Sequence, residues 1–193
     1  AELQLDDGTK LTADAVIIAT GADHRHLGLP NERELAGHGV SYCATCDGAF
    51  YRDKPIAVVG GGDTAMEEAL FLTRYASQLT LIHRRDAFRA SKIMAQRVLN
   101  NPKITIRWNS VVTELLTNAE GALAGLRLRD TQTGAESELP AAALFVAIGL
   151  VPATQPFAGV LPTDANGYLL ADGVKTKLPG VFVAGDVADS RYR

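Results

Sequence analysis

The chain has 193 residues, 47% of them hydrophobic, and a formal net charge of −3, which is apolar material enough for one large or two small cored domains. No run approaches the ~18 apolar residues of a membrane span and the first residues lack signal-peptide order, so a soluble, cytoplasmic chain is expected. The mildly acidic balance, without a basic stripe, argues against nucleic acid as a partner.

Leu3 to Leu11 alternates around Asp6-Asp7-Gly8, a hairpin signal, and Ala15 to Ala19 reads as a buried strand ending at Thr20-Gly21. Pro55 to Val59 is a short apolar strand. Asp63 to Tyr75 is helical, with Ala65, Ala69 and Leu72 on one face. Leu79 to Ile82 predicts a strand, Phe88 to Leu99 a second helix, and Ile104 to Ile106 a further strand. Leu126 and Leu128 then alternate with arginines, Thr133-Gly134 makes a turn, and Leu144 to Ile148 is another buried strand ending at Gly149. After the connection through Pro152, Pro156 and Pro162 comes a last strand at Val181 to Val183, with no helix after it. Strands alternating with helices predict an α/β fold with a parallel, doubly wound, Rossmann-like sheet.

The hairpin followed by a buried strand closing on glycine occurs twice, as copies would. The second copy has Gly60-Gly61-Gly62 upstream of it, and the same span counted back from Gly21 runs past residue 1. The expectation is a first nucleotide turn outside this chain, which then begins inside a domain.

Three motifs carry chemistry. Gly60-x-Gly62-x-x-Ala65 follows a strand and opens a helix, the setting of a dinucleotide fingerprint: Gly60 for the tight turn, Gly62 for backbone approach to a pyrophosphate, Ala65 for close helix-to-strand packing. At the end of the next strand, where NAD-binding domains place an acid for the ribose 2′-hydroxyl, stand His83-Arg84-Arg85, with Arg89 nearby. A carboxylate would repel a 2′-phosphate and arginines would clamp it, which selects NADPH. Cys43-Ala44-Thr45-Cys46, the only two cysteines, have the spacing of a redox dithiol, and Asp47 beside them could carry the proton. Cys43, Cys46, His24 and His26 could in principle hold zinc, but the second ligand pair of familiar zinc modules is missing. Gly185-Asp186 could set a carboxylate at a sheet edge, and is equally a turn or cap. His38 and Trp108 show no pattern, and core packing is expected for the tryptophan.

Ala19-Thr20-Gly21, the Cys-Ala-Thr-Cys-Asp-Gly run at 43 to 48, Gly-Gly-Gly-Asp-Thr-Ala at 60 to 65, His-Arg-Arg-Asp-Ala-Phe-Arg at 83 to 89 and Gly-Val-Phe-Val-Ala-Gly-Asp at 180 to 186 together resemble low-molecular-weight thioredoxin reductase. The resemblance spans essentially the whole chain and implies a two-dinucleotide-binding-domain flavoprotein truncated at both ends. Residues 1–24 and 152–193 would be parts of an FAD-binding domain, and 25–151 the inserted NADPH-binding domain with the dithiol. NADPH would contact Gly60, Gly62, Asp63, Thr64, Ala65, His83, Arg84, Arg85, Arg89, Ile148 and Gly149. FAD would contact Thr20, Gly21, Gly185, Asp186, Val187 and Arg193. No metal is implied.

The implied activity is thioredoxin-disulfide reduction: NADPH reduces FAD, flavin reduces the Cys43–Cys46 disulfide, and the dithiol reduces thioredoxin. Cys46 would face the flavin, Cys43 would attack thioredoxin, and Asp47 would be the acid/base. Rotation of the NADPH domain about hinges near 21–26 and 149–153, and a homodimer, follow by the same resemblance. Two departures stand out. Leu150 and Ala153 replace the family's usual His and Asn, and the N-terminal glycine fingerprint for the FAD pyrophosphate is absent. Two other enzymes compete with this reading. The flavoprotein partner of a peroxiredoxin usually has Cys-Pro-His-Cys and no paired arginines, and the ferredoxin-dependent reductase lacks an NADPH fingerprint. A catalytically silent NADPH-binding fragment is the alternative of a different class.

Overall fold

The computed structural model describes residues 2–190. The chain divides into two compact units, one formed by the residues up to His24 with those from Leu150 onward, the other by Arg25–Gly149. In chain order the strands and helices are β1 (Glu2–Gln4), β2 (Lys10–Thr12), β3 (Val16–Ile18), β4 (Ala22–His24), β5 (Val40–Ser41), α1 (Ala44–Asp47), β6 (Pro55–Gly60), α2 (Asp63–Leu72), β7 (Gln78–Ile82) and α3 (Lys92–Leu99). They continue with β8 (Ile104–Arg107), β9 (Ser110–Thr117), β10 (Leu123–Asp130), β11 (Glu136–Pro140), β12 (Ala143–Ala147), β13 (Leu150–Pro152) and β14 (Val181–Val183).

The Arg25–Gly149 unit is built on a five-stranded sheet in the order β5-β12-β6-β7-β8, every pair parallel. Its central strands are buried on both faces, which is why they read as unbroken apolar runs. Along β6, Ile56 and Val58 join one core with Ala65, Met66, Ala69 and Leu72 of α2 and Val98 of α3. Ala57 and Val59 face the other core, with Leu115, Leu126 and Leu128. The alternation repeats in β12, where Phe145 goes to the helices and Leu144 and Val146 to the opposite side. Each fully buried valine, leucine, isoleucine, methionine or phenylalanine among them contributes about 1.5–3 kcal/mol by leaving water. The parallel α/β sheet is the expected one, with one difference: its second face is covered by the antiparallel meander β9-β10-β11 rather than by helices.

Helices α2 and α3 are shorter than their periodicity suggests. Helix α2 stops at Leu72, and Thr73–Tyr75 close its end by turns, with Thr73 N bonded to Ala69 O. Residues 88–91 are not the first turn of α3: the Arg89 and Ala90 N–H groups donate to Gly61 O, so tertiary hydrogen bonds replace helical ones.

In the other unit, β1 and β2 form the hairpin, with Asp7 Oδ1 accepting Thr9 N at 2.8 Å. Strand β3 runs parallel to β14, and β4 pairs antiparallel with β13. A small core holds Ile18, Leu161, Leu169, Val183 and Val187. The expected full burial of β3 is corrected here: Ile17 is 69% exposed, because in a two-stranded sheet only one face has a core beneath it.

Candidate functional site

In a parallel sheet all strands end on the same edge, and ligands bind outside that carboxyl edge where the strand order reverses. Strand β6 has β7 on one side and β12 on the other. The segments that follow the strand ends are therefore neighbours: the disulfide turn after β5, Ile148-Gly149 after β12, the glycine turn after β6, and His83-Arg84-Arg85 after β7.

The glycine turn is shaped by close approach. A Cβ on Gly60 would overlap Ala147 O and the Ala65 side chain, and one on Gly61 would overlap the His83 ring. Gly62 is the N-cap of α2 and gives that helix end no side-chain partner, so its leading N–H groups are left for an anion. A Cβ on Gly62 would meet Arg89 Nη2 at 3.4 Å, which puts that guanidinium over the turn. Asp63 Oδ1 accepts both Ser91 N and Ser91 Oγ at 2.8 Å, and Thr64 is exposed.

The basic loop is tied down from beneath. His83 is buried, with its ring nitrogens each 3.0 Å from a carbonyl oxygen, Gly60 O and Ala87 O. Burial chiefly, and the charges of Arg84 and Arg85, hold its pKa below the ordinary value against the pull of the two carbonyls. Phe88 and Trp108 pack on each other at 4.3 Å and both pack on His83. Trp108, expected in the core, is half-buried and packs beneath the loop. Arg84 O and Arg85 O accept Thr131 Oγ1 and Asn109 N, which leaves both side chains exposed. Among the described residues neither arginine has a carboxylate partner within ion-pair distance. On the far side of β6, Ile148 is half-buried against the second core, and Gly149 O accepts Arg25 N.

Cys43 and Cys46 are joined as a disulfide across the first turn of α1. Cys43 Sγ accepts Cys46 N at 3.2 Å and lies 3.4 Å from Thr45 Oγ1. Cys46 is exposed and Cys43 half-buried. Asp47 does not stand alone: its carboxylate accepts Ser41 Oγ at 2.7 Å, and Ser41 Oγ in turn accepts Cys43 N at 3.1 Å. Phe50, just beyond, is 74% exposed. Beneath α1 lies Glu68 of α2, whose carboxylate accepts the Ala44 N–H while its Oε2 is buried without a hydrogen-bond partner. Burial, and secondarily the charge of Glu67, push its pKa up to about 7. Ser41 and Glu68 escaped the sequence reading because each acts through a neighbour brought by folding. Only the serine two positions before Cys43 left a local hint.

In the other unit, Thr20-Gly21 and Gly185-Asp186-Val187 follow the ends of the parallel pair β3 and β14. Thr20 Oγ1 donates to Ala153 O at 2.7 Å, Asp186 is half-buried and Val187 is core. Arg193 lies outside the described residues.

The donor sets discriminate between the two dinucleotides. The Arg25–Gly149 unit offers a helix N-terminus without a capping side chain, a glycine cradle and exposed arginines, which fit NADPH. The other unit offers a carboxylate at a strand end, and among its described residues no glycine-rich strand-to-helix turn, so it fits only part of FAD.

The model of the pyridine nucleotide-disulphide oxidoreductases matches residues 1–193. The chain belongs to that family. Within it, the chain is 54% identical over 188 residues to the thioredoxin reductase of Streptomyces coelicolor, covering 96% of this chain and 58% of that protein. It is 51% identical to the bifunctional thioredoxin reductase/thioredoxin of Mycobacterium leprae, covering 97% of this chain and 41% of that one. The thioredoxin reductase of Lactococcus lactis, solved in its FR conformation, superposes with a TM-score of 0.85 at 38% identity, over 100% of this chain and 63% of that one. The chain thus spans from 41% to 63% of the length of these three proteins.

Proposed function

We propose that this chain is the dithiol-bearing, NADPH-binding part of a thioredoxin-disulfide reductase, a flavoprotein that passes electrons from NADPH by way of FAD to Cys43–Cys46 and on to thioredoxin. The observation that carries the reading is the meeting of a disulfide turn, a glycine cradle and an unpaired arginine pair on one carboxyl edge of one sheet. The thioredoxin reductases among its relatives support the acceptor. So does the Mycobacterium leprae protein, whose name joins reductase and thioredoxin.

On this reading the Arg25–Gly149 unit is the NADPH domain. The leading N–H groups of α2, with Gly60, Gly62, Asp63, Thr64 and Ala65, hold the pyrophosphate, and Arg84, Arg85 and Arg89 clamp the 2′-phosphate. His83 supports both turns from below, and Ile148-Gly149 border the nicotinamide side. The other unit is part of the FAD domain, with Thr20, Gly21, Gly185, Asp186 and Val187 on the flavin nucleotide, and Arg193 assigned to it from sequence. Bound FAD supplies the hydride relay between nicotinamide and disulfide. Of the chain's own residues, Cys46 takes the electrons, Cys43 attacks the thioredoxin disulfide, and Asp47, oriented by Ser41, carries the proton. A cytoplasmic homodimer completes the proposal. No helix among the described residues is long and apolar enough to cross a membrane.

The test is NADPH oxidation, with NADH as control, by the chain extended to the length of its relatives, supplied with FAD and oxidised thioredoxin. Turnover that either Cys43→Ser or Cys46→Ser abolishes is expected. Flavin reduction without thioredoxin turnover moves the acceptor elsewhere, and no flavin reduction sinks the mechanism. A second reading, a nucleotide-binding piece without turnover, is favoured for the chain alone by the missing glycine turn in the first unit. A visible flavin spectrum from the isolated chain would exclude it.

A further inference from the structure

We propose that Glu68 is a positioning residue for the dithiol: anchored on the Ala44 N–H, its carboxyl takes up a proton when the Cys43–Cys46 bond opens. This rests on the reading of Cys43–Cys46 as a working dithiol. The Glu68 carboxyl interacts with the N–H of Ala44, the residue covalently next to Cys43, and its Oε2 is buried with no hydrogen-bond partner. A carboxylate held that way lacks solvation for its charge, and a carboxylic acid does not.

Few other charges act there. Strands β6, β7 and β12, packed on α2, carry no titratable residue, α1 brings Asp47 and the two cysteines, the turn after it brings Tyr51, and α3 brings Lys92 and Arg97. The charge that acts on Glu68 is that of Glu67 on its own helix, and it also favours the proton. With burial, it places the carboxyl near neutrality, about 7, where a small change in local charge decides its state.

Opening the disulfide supplies that change. Two electrons, from the hydride donor in the enzyme or from a small dithiol in the test below, break the S–S bond. With one proton taken up at sulfur, a thiol and a thiolate result. The new negative charge next to Ala44 favours the neutral form of Glu68, which binds a second proton from solvent. When the thiolate attacks a disulfide and its charge leaves, that proton is released. Glu68 also opposes premature thiolate formation: once both are charged they repel, so the pair titrates as a coupled system.

The experiment needs neither flavin, nicotinamide nor thioredoxin, so its failure is separable from failure of the reductase reading. The full chain is reduced with dithiothreitol, freed of it, and its thiolate followed by ultraviolet absorbance between about pH 5 and 9. Glu68→Gln keeps an amide oxygen for the Ala44 N–H and removes the charge, and its thiolate midpoint is expected about one pH unit below wild type. Glu68→Asp, which keeps the charge, is expected near wild type. Superimposed wild-type and Gln profiles overturn the proposal and leave the dithiol reading intact. A reduced chain whose thiols do not titrate in this range overturns both. A wild-type measurement guards against misfolding of the variants. Infrared difference spectra at about pH 7 are expected to gain a carboxylic-acid band on reduction, and an unchanged carboxyl region overturns the proposal.

Discussion

At Gly61 the missing side chain is what lets two turns meet. The His83 ring occupies the space a Cβ would need, and the ring in turn reaches Gly60 O. Gly61→Ala is therefore expected to destabilise by about 1–3 kcal/mol through overpacking, with loss of NADPH affinity. Gly61→Ala with His83→Ala is expected to cost less than the two single changes summed, as a denaturant-unfolding cycle would show. Glu68 makes a second prediction at this scale. Its folded pKa is raised, from 4.5 to about 7, so the stability it supports is complete below the unfolded value and is lost as pH rises through the folded one. Glu68→Gln is expected to flatten that slope and to leave the oxidised chain about 2 kcal/mol more stable than wild type on the alkaline side, measured by urea unfolding at several pH values. Phe50, exposed beside the disulfide, has the character of an interface anchor, and Phe50→Ala is expected to raise KM for thioredoxin without changing NADPH binding.

At the scale of elements, loops are held by side chains from elsewhere. Glu32, 2% exposed, gathers the N–H groups of Leu27, Gly28 and Leu29 and the Tyr42 hydroxyl. Burial is the largest single influence and raises its pKa, but these donors together outweigh it and the net shift is downward. The stability it gives is present above the unfolded carboxylate value and is lost as pH falls through the folded one. Glu32→Gln is expected to lose about 1.5–3 kcal/mol at neutral pH, since charge-assisted bonds become neutral ones and one oxygen becomes a donor. The acid side of the stability curve should flatten with it. In the basic loop, Arg84→Ala or Arg85→Ala is expected to weaken NADPH binding roughly 10- to 100-fold, the worth of a charge-assisted contact, and to leave NADH binding unchanged. Titration calorimetry with both nucleotides checks this. Equal losses for the two would mean the arginines do not read the 2′-phosphate.

For the whole molecule, much was legible in the chain. The apolar runs of β6, β7 and β12 announced buried parallel strands because both of their faces are covered, and Gly60-x-Gly62 after β6 announced a tight strand-to-helix turn, where a side chain at Gly60 would overlap Ala147 O and Ala65. The meander over the second face was not legible as a layer, since alternation along β10 says which residues go inward but not what they cover. Nor was the loop at 88–91, whose helical pattern is overridden by bonds to Gly61 O. What the amino-acid sequence determined alone is local: the element types, the dithiol spacing, the arginines placed where an acid would select NADH. What only tertiary structure decided is which distant groups share an environment. A carboxylate on α2 under the disulfide and an imidazole under the glycine turn owe their shifted ionisation chiefly to burial by the fold, and no local pattern encodes either.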